Sequence, residues 1–306
     1  AMDEAAAALD TIEPGAVVTY AEAGGWGRAL ILEARRRRIP SVGLQHGFIY
    51  RHWLNYRHER DEMRDTRTAR FPAPTRTLLF DEFAGQHLQT AGRFEGDSLV
   101  VTGSPRLDEL ARTLAALPAD AVARTRQDLS LRTDERLVLL VTKEREARPW
   151  LSPLYDAIAS VRNAVLVIKP HPAETAEAYA SAAGRPNIRL LPPSTPLGPL
   201  LAGAGAVVTV NSTVALDAAV LDIPALAMAL PNNLSPFVGA GALSGTADPG
   251  ELADLLSRIL YDEGFRQQLS NRRRSVLGQH AMTADGRSAA RCADVVRELV
   301  RQGKGY

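Results

Sequence analysis

Short apolar runs alternate with helix-period segments along the whole of this 306-residue chain, and that rhythm is its strongest constraint. Strands are predicted over 17–20, 41–44, 77–80 and 98–102, and again over 137–141, 165–169, 188–191, 206–210 and 225–228. Helical patterns fall between them: 28–38, stopped by Pro40, then 83–90, 107–117, a polar stretch from Pro118 to about 129, 153–162, 173–183, 197–202, 213–221 and 249–260. Two more, at 265–277 and 287–301, close the chain. Strands alternating with helices imply βαβ units and parallel sheets. The strand-free interval 115–134 divides the pattern, so the expected fold is α/β, with two Rossmann-like lobes, 1–117 and 118–306, facing across a cleft. The first lobe shows only four clear strands, fewer than a full Rossmann lobe, which is the pattern expected if part of its sheet lies upstream of Ala1.

Composition narrows the function classes. Hydrophobic residues at 45% and charged residues at 23% fit a globular chain and exclude disorder as the main state. Lysine and arginine total 36 against 35 acidic residues, a net charge of +1 that argues against a dedicated nucleic-acid binder. The one cysteine, Cys292, permits neither an intrachain disulfide nor a cysteine zinc cage, and suits a reducing, cytoplasmic compartment. The weakly polar run 196–210 is too short and too rich in Gly and Pro to cross a bilayer, and no signal peptide is evident. Ala1 before Met2 reads as a cloning scar. Only three lysines occur, and Lys143 and Lys169 both fall at predicted strand ends, with Lys304 elsewhere. The stretch 51–70 is crowded with charge and without period; a loop over the cleft, a surface helix and a flap all fit, and a solvated surface segment is the simplest reading.

In open parallel sheets ligands sit beyond the carboxyl ends of strands, so the residues that follow each strand matter most. After the second strand comes Gln45-His46-Gly47, where Gly47 permits a tight turn or positive φ and His46 can serve as a general base, or simply satisfy a turn carbonyl. After strand 165–169 comes Lys169-Pro170-His171-Pro172, a loop stiffened by two prolines, with Glu174 opening the next helix. Lys169 and His171 together offer positive charge and donors to a phosphate. After strand 206–210 comes Asn211-Ser212-Thr213 ahead of an apolar helix. Ordinary N-capping explains these residues, and the same geometry with free N–H groups and two hydroxyls makes an anion site.

Weaker signals complete the set. Ser104 and Arg106 lie in a Gly-Ser-Pro-Arg turn, and Thr142 and Lys143 begin a charged cluster after the first strand of the second lobe. Glu22 is a candidate second base, and Arg35–Arg38 close a helix, where cations suit the helix dipole and a lipid headgroup is the sharper alternative. Gly24-Gly25-Trp26-Gly27 is not a dinucleotide fingerprint, and no phosphate-loop motif occurs. His52, His58, His87 and His280 show no metal-ligand spacing, so no metal and no cofactor are expected.

The order Gln-His-Gly, Gly-Ser-Pro-Arg, Lys-Pro-His-Pro and Asn-Ser-Thr before an Ala-rich helix ending at Ile223-Pro224 resembles the GT-B glycosyltransferases of bacterial surface polysaccharide synthesis. By motif it is similar to capsule Kdo transferases, HP-motif sialyltransferases and CDP-glycerol glycerophosphotransferases. The resemblance spans 17–228. It implies a nucleotide-activated donor, CMP- or CDP-linked, held by the second lobe. His171 matches the HP-motif histidine on the donor phosphate, Ser212 and Thr213 the Ser/Thr pair, and His46 the base toward the acceptor. The sequence departs from the pattern at Phe48, where a Thr usually follows the His-Gly pair, and in carrying Asn-Ser-Thr rather than a Tyr-Ser-Ser-like run.

On that resemblance the expected activity is metal-independent transfer of a sugar, or glycerol phosphate, to a hydroxyl of a glycan or lipid-linked glycan acceptor, with peripheral contact at the inner membrane. Lys169, His171, Asn211, Ser212 and Thr213 would hold the phosphate. Thr142, Lys143, Pro193, Ser194, Thr195, Asn232 and Asn233 would contact nucleotide or sugar. Two alternatives stand beside it: a sugar-nucleotide 2-epimerase of the same fold, and a non-catalytic nucleotide- or carbohydrate-binding module.

Overall fold

A computed structural model describes the chain except for residues 21, 52, 64–70 and 304–306. It divides into two compact units. One comprises Ala1–Asp108 joined by the segment from Gln279 onward, and the other is Glu109–Gly278. The division thus falls nine residues before the expected 117/118 boundary, and the chain's last segment belongs with the first unit rather than the second.

The first unit is built from α1 (Met2–Ile12), β1 (Val17–Tyr20), α2 (Gly25–Arg36), β2 (Ser41–Leu44), the short turn α3 (Arg60–Met63), β3 (Arg76–Leu79), α4 (Glu82–Thr90) and β4 (Leu99–Val101). Its strands pair in parallel in the order β1-β2-β3-β4. The helix α1 is absent from the sequence reading, although Asp3 and Glu4 in its first turn and the alanine run that follows are favourable helix signals. The expected strand 98–102 shrinks to three residues behind a 3₁₀ turn. Within the charged stretch 51–70, a 3₁₀ turn at Leu54–Tyr56 and α3 are the ordered pieces, and His52 and 64–70 lie outside the described residues.

The second unit follows through α5 (Pro105–Ala115), which spans the boundary, and α6 (Ala121–Asp128). Then come β5 (Arg136–Leu140), α7 (Glu144–Ser160), β6 (Ala164–Ile168), β7 (Ile188–Leu190), α8 (Leu197–Gly203), β8 (Ala204–Thr209), α9 (Val214–Val220), β9 (Ala225–Ala227), α10 (Ser235–Gly239), β10 (Ser244–Gly245), α11 (Leu252–Tyr261) and α12 (Glu263–Gln279). Its six parallel strands lie in the order β10-β9-β8-β5-β6-β7. Val138, Leu140, Leu166, Ile168 and Val208 of the central strands are fully buried against Leu151, Leu154, Ile158, Leu256 and Ile259 of α7 and α11. The sequence reading began α7 at Pro153, a favoured first-turn residue. The helix starts nine residues earlier and carries Pro149 and Pro153 inside it, because Ala147, Leu151, Leu154 and Ile158 form one buried face. The segment expected as a helix over 173–183 is instead a kinked 3₁₀ run, Ala176–Ala182, with Tyr179 buried at the kink.

The final helix α13 (Ser288–Gly303) covers one face of the first sheet, setting Leu299, Val295 and Val296 on Val42 and Leu78. Asp108 fastens its start: one carboxylate oxygen accepts the Ser288 N–H at 2.8 Å and the other the Gly286 N–H at 3.0 Å. Arg291 donates to Thr102 O at 2.7 Å. Gly103 holds φ +82° beneath this helix, and a Cβ there would lie 2.5 Å from Ser288 Oγ. Leu299→Ala is therefore expected to destabilise the first unit by about 2–5 kcal/mol, read as faster amide exchange in β2 and β3; exchange rising only in β5–β9 would contradict this packing.

Candidate functional site

In the second sheet the chain runs outward from β5 through β6 to β7, then returns to the other side of β5 as β8. The gap between β5 and β8 is thus a topological switch point, where crossover loops diverge and leave a crevice beyond the carboxyl ends. Thr142 follows β5, and Asn211 follows β8. Val141 N–H pairs with Val208 O at 3.0 Å, which brings the two strand ends side by side. Thr142 Oγ1 and Asn211 Oδ1 are both buried and without a hydrogen-bond partner among the described residues. Polar atoms out of water are normally paired, so the two orphans set this switch point apart from the tied loops beside it.

The neighbouring loops are tied by their own side chains. Glu174 accepts the Glu144 N–H at 2.8 Å, the His171 N–H at 3.3 Å and the Tyr179 hydroxyl at 3.3 Å, joining the start of α7 to the proline loop. This carboxylate is a fastening rather than a ligand contact. His171 itself is exposed, and its Nδ1 accepts the Ala173 N–H at 3.1 Å. In the neutral ring the proton then sits on Nε2, which this contact leaves unspent. Lys169 is half-buried, and burial holds its ammonium below the usual range. Two of its three donors are spent on Pro170 O at 3.2 Å and Pro193 O at 3.0 Å. The ammonium therefore bridges the loops after β6 and β7. Of the latter loop, Ser194 is exposed and Pro193 and Thr195 are half-buried.

After β8, Thr209 Oγ1 accepts the Ser212 N–H at 3.1 Å, and Ser212 Oγ accepts the Val214 N–H at 3.3 Å. Ser212 and Thr213 are both half-buried. Lys143 is exposed at the start of α7. Asn232 behaves differently from the sugar contact expected of it. Its amide donates to Val210 O at 2.7 Å and Met228 O at 2.9 Å, and its oxygen accepts the Leu234 N–H at 2.8 Å. It is a strut under the β8 loop. Asn233 is likewise buried and engaged.

The first unit has its own cluster beyond β1 and β2. His46 is half-buried, with its ring centroid 4.6 Å from that of Trp53 and 5.4 Å from that of Tyr20. Burial lowers its pKa from the ordinary 6.5, which favours the neutral imidazole with a lone pair open to a proton. Gln45, which sequence reasoning passed over, holds this loop. Its amide donates to Gly47 O at 2.8 Å, and its oxygen accepts the Phe80 N–H at 2.8 Å, bridging the ends of β2 and β3. Of the two possibilities at Gly47, positive φ is not taken, and a Cβ there would meet only Trp53, at 3.9 Å. The steric need for glycine lies at Gly43, whose Cβ would come within 2.7 Å of the Glu22 side chain.

Glu22, expected as a second base, lies inside the protein with 3% of its surface exposed. Its Oε1 accepts the Tyr56 hydroxyl at 3.1 Å, while Oε2 has no partner among the described residues. Burial pushes its pKa up from 4.5 to about 7, against the lowering effect of hydrogen bonds from the backbone and Tyr56. Ser104, another candidate, caps α5 by accepting the Leu107 N–H at 3.2 Å, and Arg106 is exposed and engaged with a neighbour. Among the described residues no group of three His, Cys, Asp or Glu side chains is placed to hold a metal ion, and no helix is long and apolar enough to cross a membrane.

No protein-family profile matches the chain, and no curated protein matches it in sequence. Solved structures do. Staphylococcus aureus MnaA with UDP aligns at a TM-score of 0.71 and 15% identity, covering 98% of this chain and 80% of that one. The UDP-GlcNAc 2-epimerase of Neisseria meningitidis bound to UDP-GlcNAc aligns at 0.66 and 15%, covering 91% and 79%. A histidine variant of the wall teichoic acid polymerase TagF soaked with CDPG aligns at 0.58 and 12%, covering 87% and 68%. The fold is GT-B. At these identities the likeness describes the GT-B architecture, two parallel-sheet units, and leaves the chemistry to the residues.

The protonation of Glu22 makes a prediction. A folded-state pKa above the unfolded one means that the folded chain keeps a proton the unfolded chain releases. The corresponding stability is complete below pH 4.5 and is lost as pH rises to about 7, a change on the order of 3 kcal/mol. Glu22→Gln is expected to flatten the fall in thermal stability over this window; an unchanged pH profile would show that the carboxyl is already ionised in the fold.

Proposed function

We propose that this chain binds a nucleotide-activated sugar in the crevice between β5 and β8 and passes the activated group to an acceptor hydroxyl. The observation that carries the reading is the pair of buried, unpartnered atoms Thr142 Oγ1 and Asn211 Oδ1 at the switch point. A ribose or sugar hydroxyl supplies the donors and acceptors they lack. The loops after β6 and β8 carry the third Lys169 donor, His171 Nε2 and the hydroxyls of Ser212 and Thr213. These are suited to the growing negative charge on a departing phosphate oxygen. Fixed donors of this kind need no reorganisation as charge develops, which is how such sites lower barriers. The helix α9 behind Thr213 has only seven residues, so the hydroxyls and the ammonium carry this role rather than the helix dipole.

His46 is the group proposed to accept the acceptor's proton. In the transfer, the acceptor oxygen forms its bond to the sugar's anomeric carbon. Its proton passes to the imidazole, and the carbon–oxygen bond to the phosphate breaks, leaving with the nucleotide. The acceptor is a hydroxyl of a glycan or a lipid-linked glycan. Glu22, buried beneath Gly43 and bonded to Tyr56, is a poor candidate for the same task.

A 2-epimerase is the second reading, favoured by the better superposition on the Neisseria meningitidis epimerase than on TagF. Epimerisation at a carbon needs a proton removed from one face and returned to the other, hence two groups with access to the sugar. Transfer needs only one such group, the role proposed for His46.

Calorimetry with CMP, CDP and UDP tests the binding. One nucleotide should bind, and Ser212→Ala and Thr142→Val should each weaken it about tenfold. Failure of all three nucleotides to bind removes the proposal. With the preferred sugar nucleotide, product formed only when acceptor is present supports transfer; an isomerised sugar without acceptor supports epimerisation. His46→Ala is expected to lower kcat by about 10²–10⁴ with nucleotide affinity unchanged.

A further inference from the structure

A second basic site lies at the opposite end of the first sheet. A cavity of about 1020 Å³ opens at the amino ends of β2 and β3, beside Ser41 and Arg76. Five arginines line it, Arg35, Arg37, Arg38, Arg76 and Arg93, against the carboxylates of Glu95 and Asp97. Two of the five are already occupied. Arg35 donates to Phe71 O and Ala73 O, and Arg37 is paired with Asp10 and Glu33. Arg76 donates only to Thr75 O, its own neighbour, and Arg38 and Arg93 make no side-chain hydrogen bond or ion pair among the described residues.

The backbone at Arg38 and Arg93 fixes where their side chains leave the chain. Each follows the end of a helix, α2 or α4, and each holds φ +59°. The chain closes over Arg38 through Ile39 N–H to Ala34 O at 2.9 Å, and over Arg93 through Phe94 N–H to Leu88 O at 3.1 Å. Glycine is the usual residue at such left-handed helix ends, because a Cβ is strained there. This chain places arginine at both, and both side chains border the same cavity. Glu13, Ser130 and Asp222 hold similar angles after other helices, so what sets Arg38 and Arg93 apart is the cavity they share.

We propose that this cavity is a binding site for a phosphate-bearing anion, distinct from the nucleotide crevice of the second unit, and inorganic diphosphate is the probe that tests it. Guanidinium groups engage phosphate oxygens in paired, charge-assisted hydrogen bonds. Arg38, Arg76 and Arg93 set +3 against −2 from Glu95 and Asp97, so the lining keeps a net positive charge and three guanidinium forks for phosphate oxygens. A cavity of this size lies at the upper end of the range for small-molecule sites. The phosphate comes either from a soluble ligand or from the headgroup of a lipid.

The test uses the full chain and the double variant Arg38→Gly/Arg93→Gly. Glycine relieves the left-handed backbone, so the melting temperature should be unchanged or higher. Inorganic diphosphate titrated by calorimetry should bind the original chain in a salt-sensitive manner and bind the double variant at least tenfold more weakly. His171→Ala, in the other unit, should leave that event unaltered. Flotation with phosphatidylcholine vesicles, with and without phosphatidylglycerol, separates the sources. Capture by the anionic vesicles that the double variant loses supports a lipid headgroup, and loss of diphosphate binding alone supports a soluble ligand. A double variant that binds both probes as the original chain does, or an original chain that binds neither, overturns the proposal.

Discussion

Parallel pairing is the constraint on which the rest of this structure depends. Every strand in both sheets runs in the same direction as its neighbours. Each sheet therefore delivers all its outgoing loops at one edge, and each return crossing is made by a helix or a long connection. The loops end where ladder hydrogen bonds run out, so polar side chains must take over. Gln45, Glu174 and Asn232 do this, each accepting from or donating to a neighbouring loop's backbone. Such residues look like binding groups in a sequence, because the same chemistry satisfies a carbonyl and a ligand.

The sequence made the fold legible wherever apolar runs were long. Residues 137–141 and 165–168 are so uniformly aliphatic that only central buried strands fit them, and they are the middle of the second sheet. It was less legible where proline and alanine set conflicting signals. Pro153 invited a helix start, yet the buried face of α7 runs through it. The return of α13 to the first sheet could not be read at all, since the amphipathic pattern of 287–301 states only that one face is buried, not against what.

For the site, position proved more legible than role. The residues after β2, β5, β6 and β8 were singled out because strand ends gather ligands. Whether each side chain is free depends on partners distant in sequence. Asn232 is spent on Val210 and Met228, Ser104 on its own helix, and Glu22 lies under Gly43. Thr142 and Asn211 become informative only where a strand-end position and an unpaired buried atom coincide. Among 3₁₀ turns and short helices of this kind, an unpaired atom says more than a paired one.

The clasp between Asp108 and the start of α13 joins residues 180 positions apart. At a translation rate of about 5–20 residues per second, the ribosome adds the whole second unit, over roughly ten to forty seconds, before the helix that seals the first sheet exists. During that interval Val42 and Leu78 lack their cover. Biogenesis thus proceeds out of order: the inserted unit can mature first, and the earlier-made sheet waits, open to chaperones, for the tail to arrive.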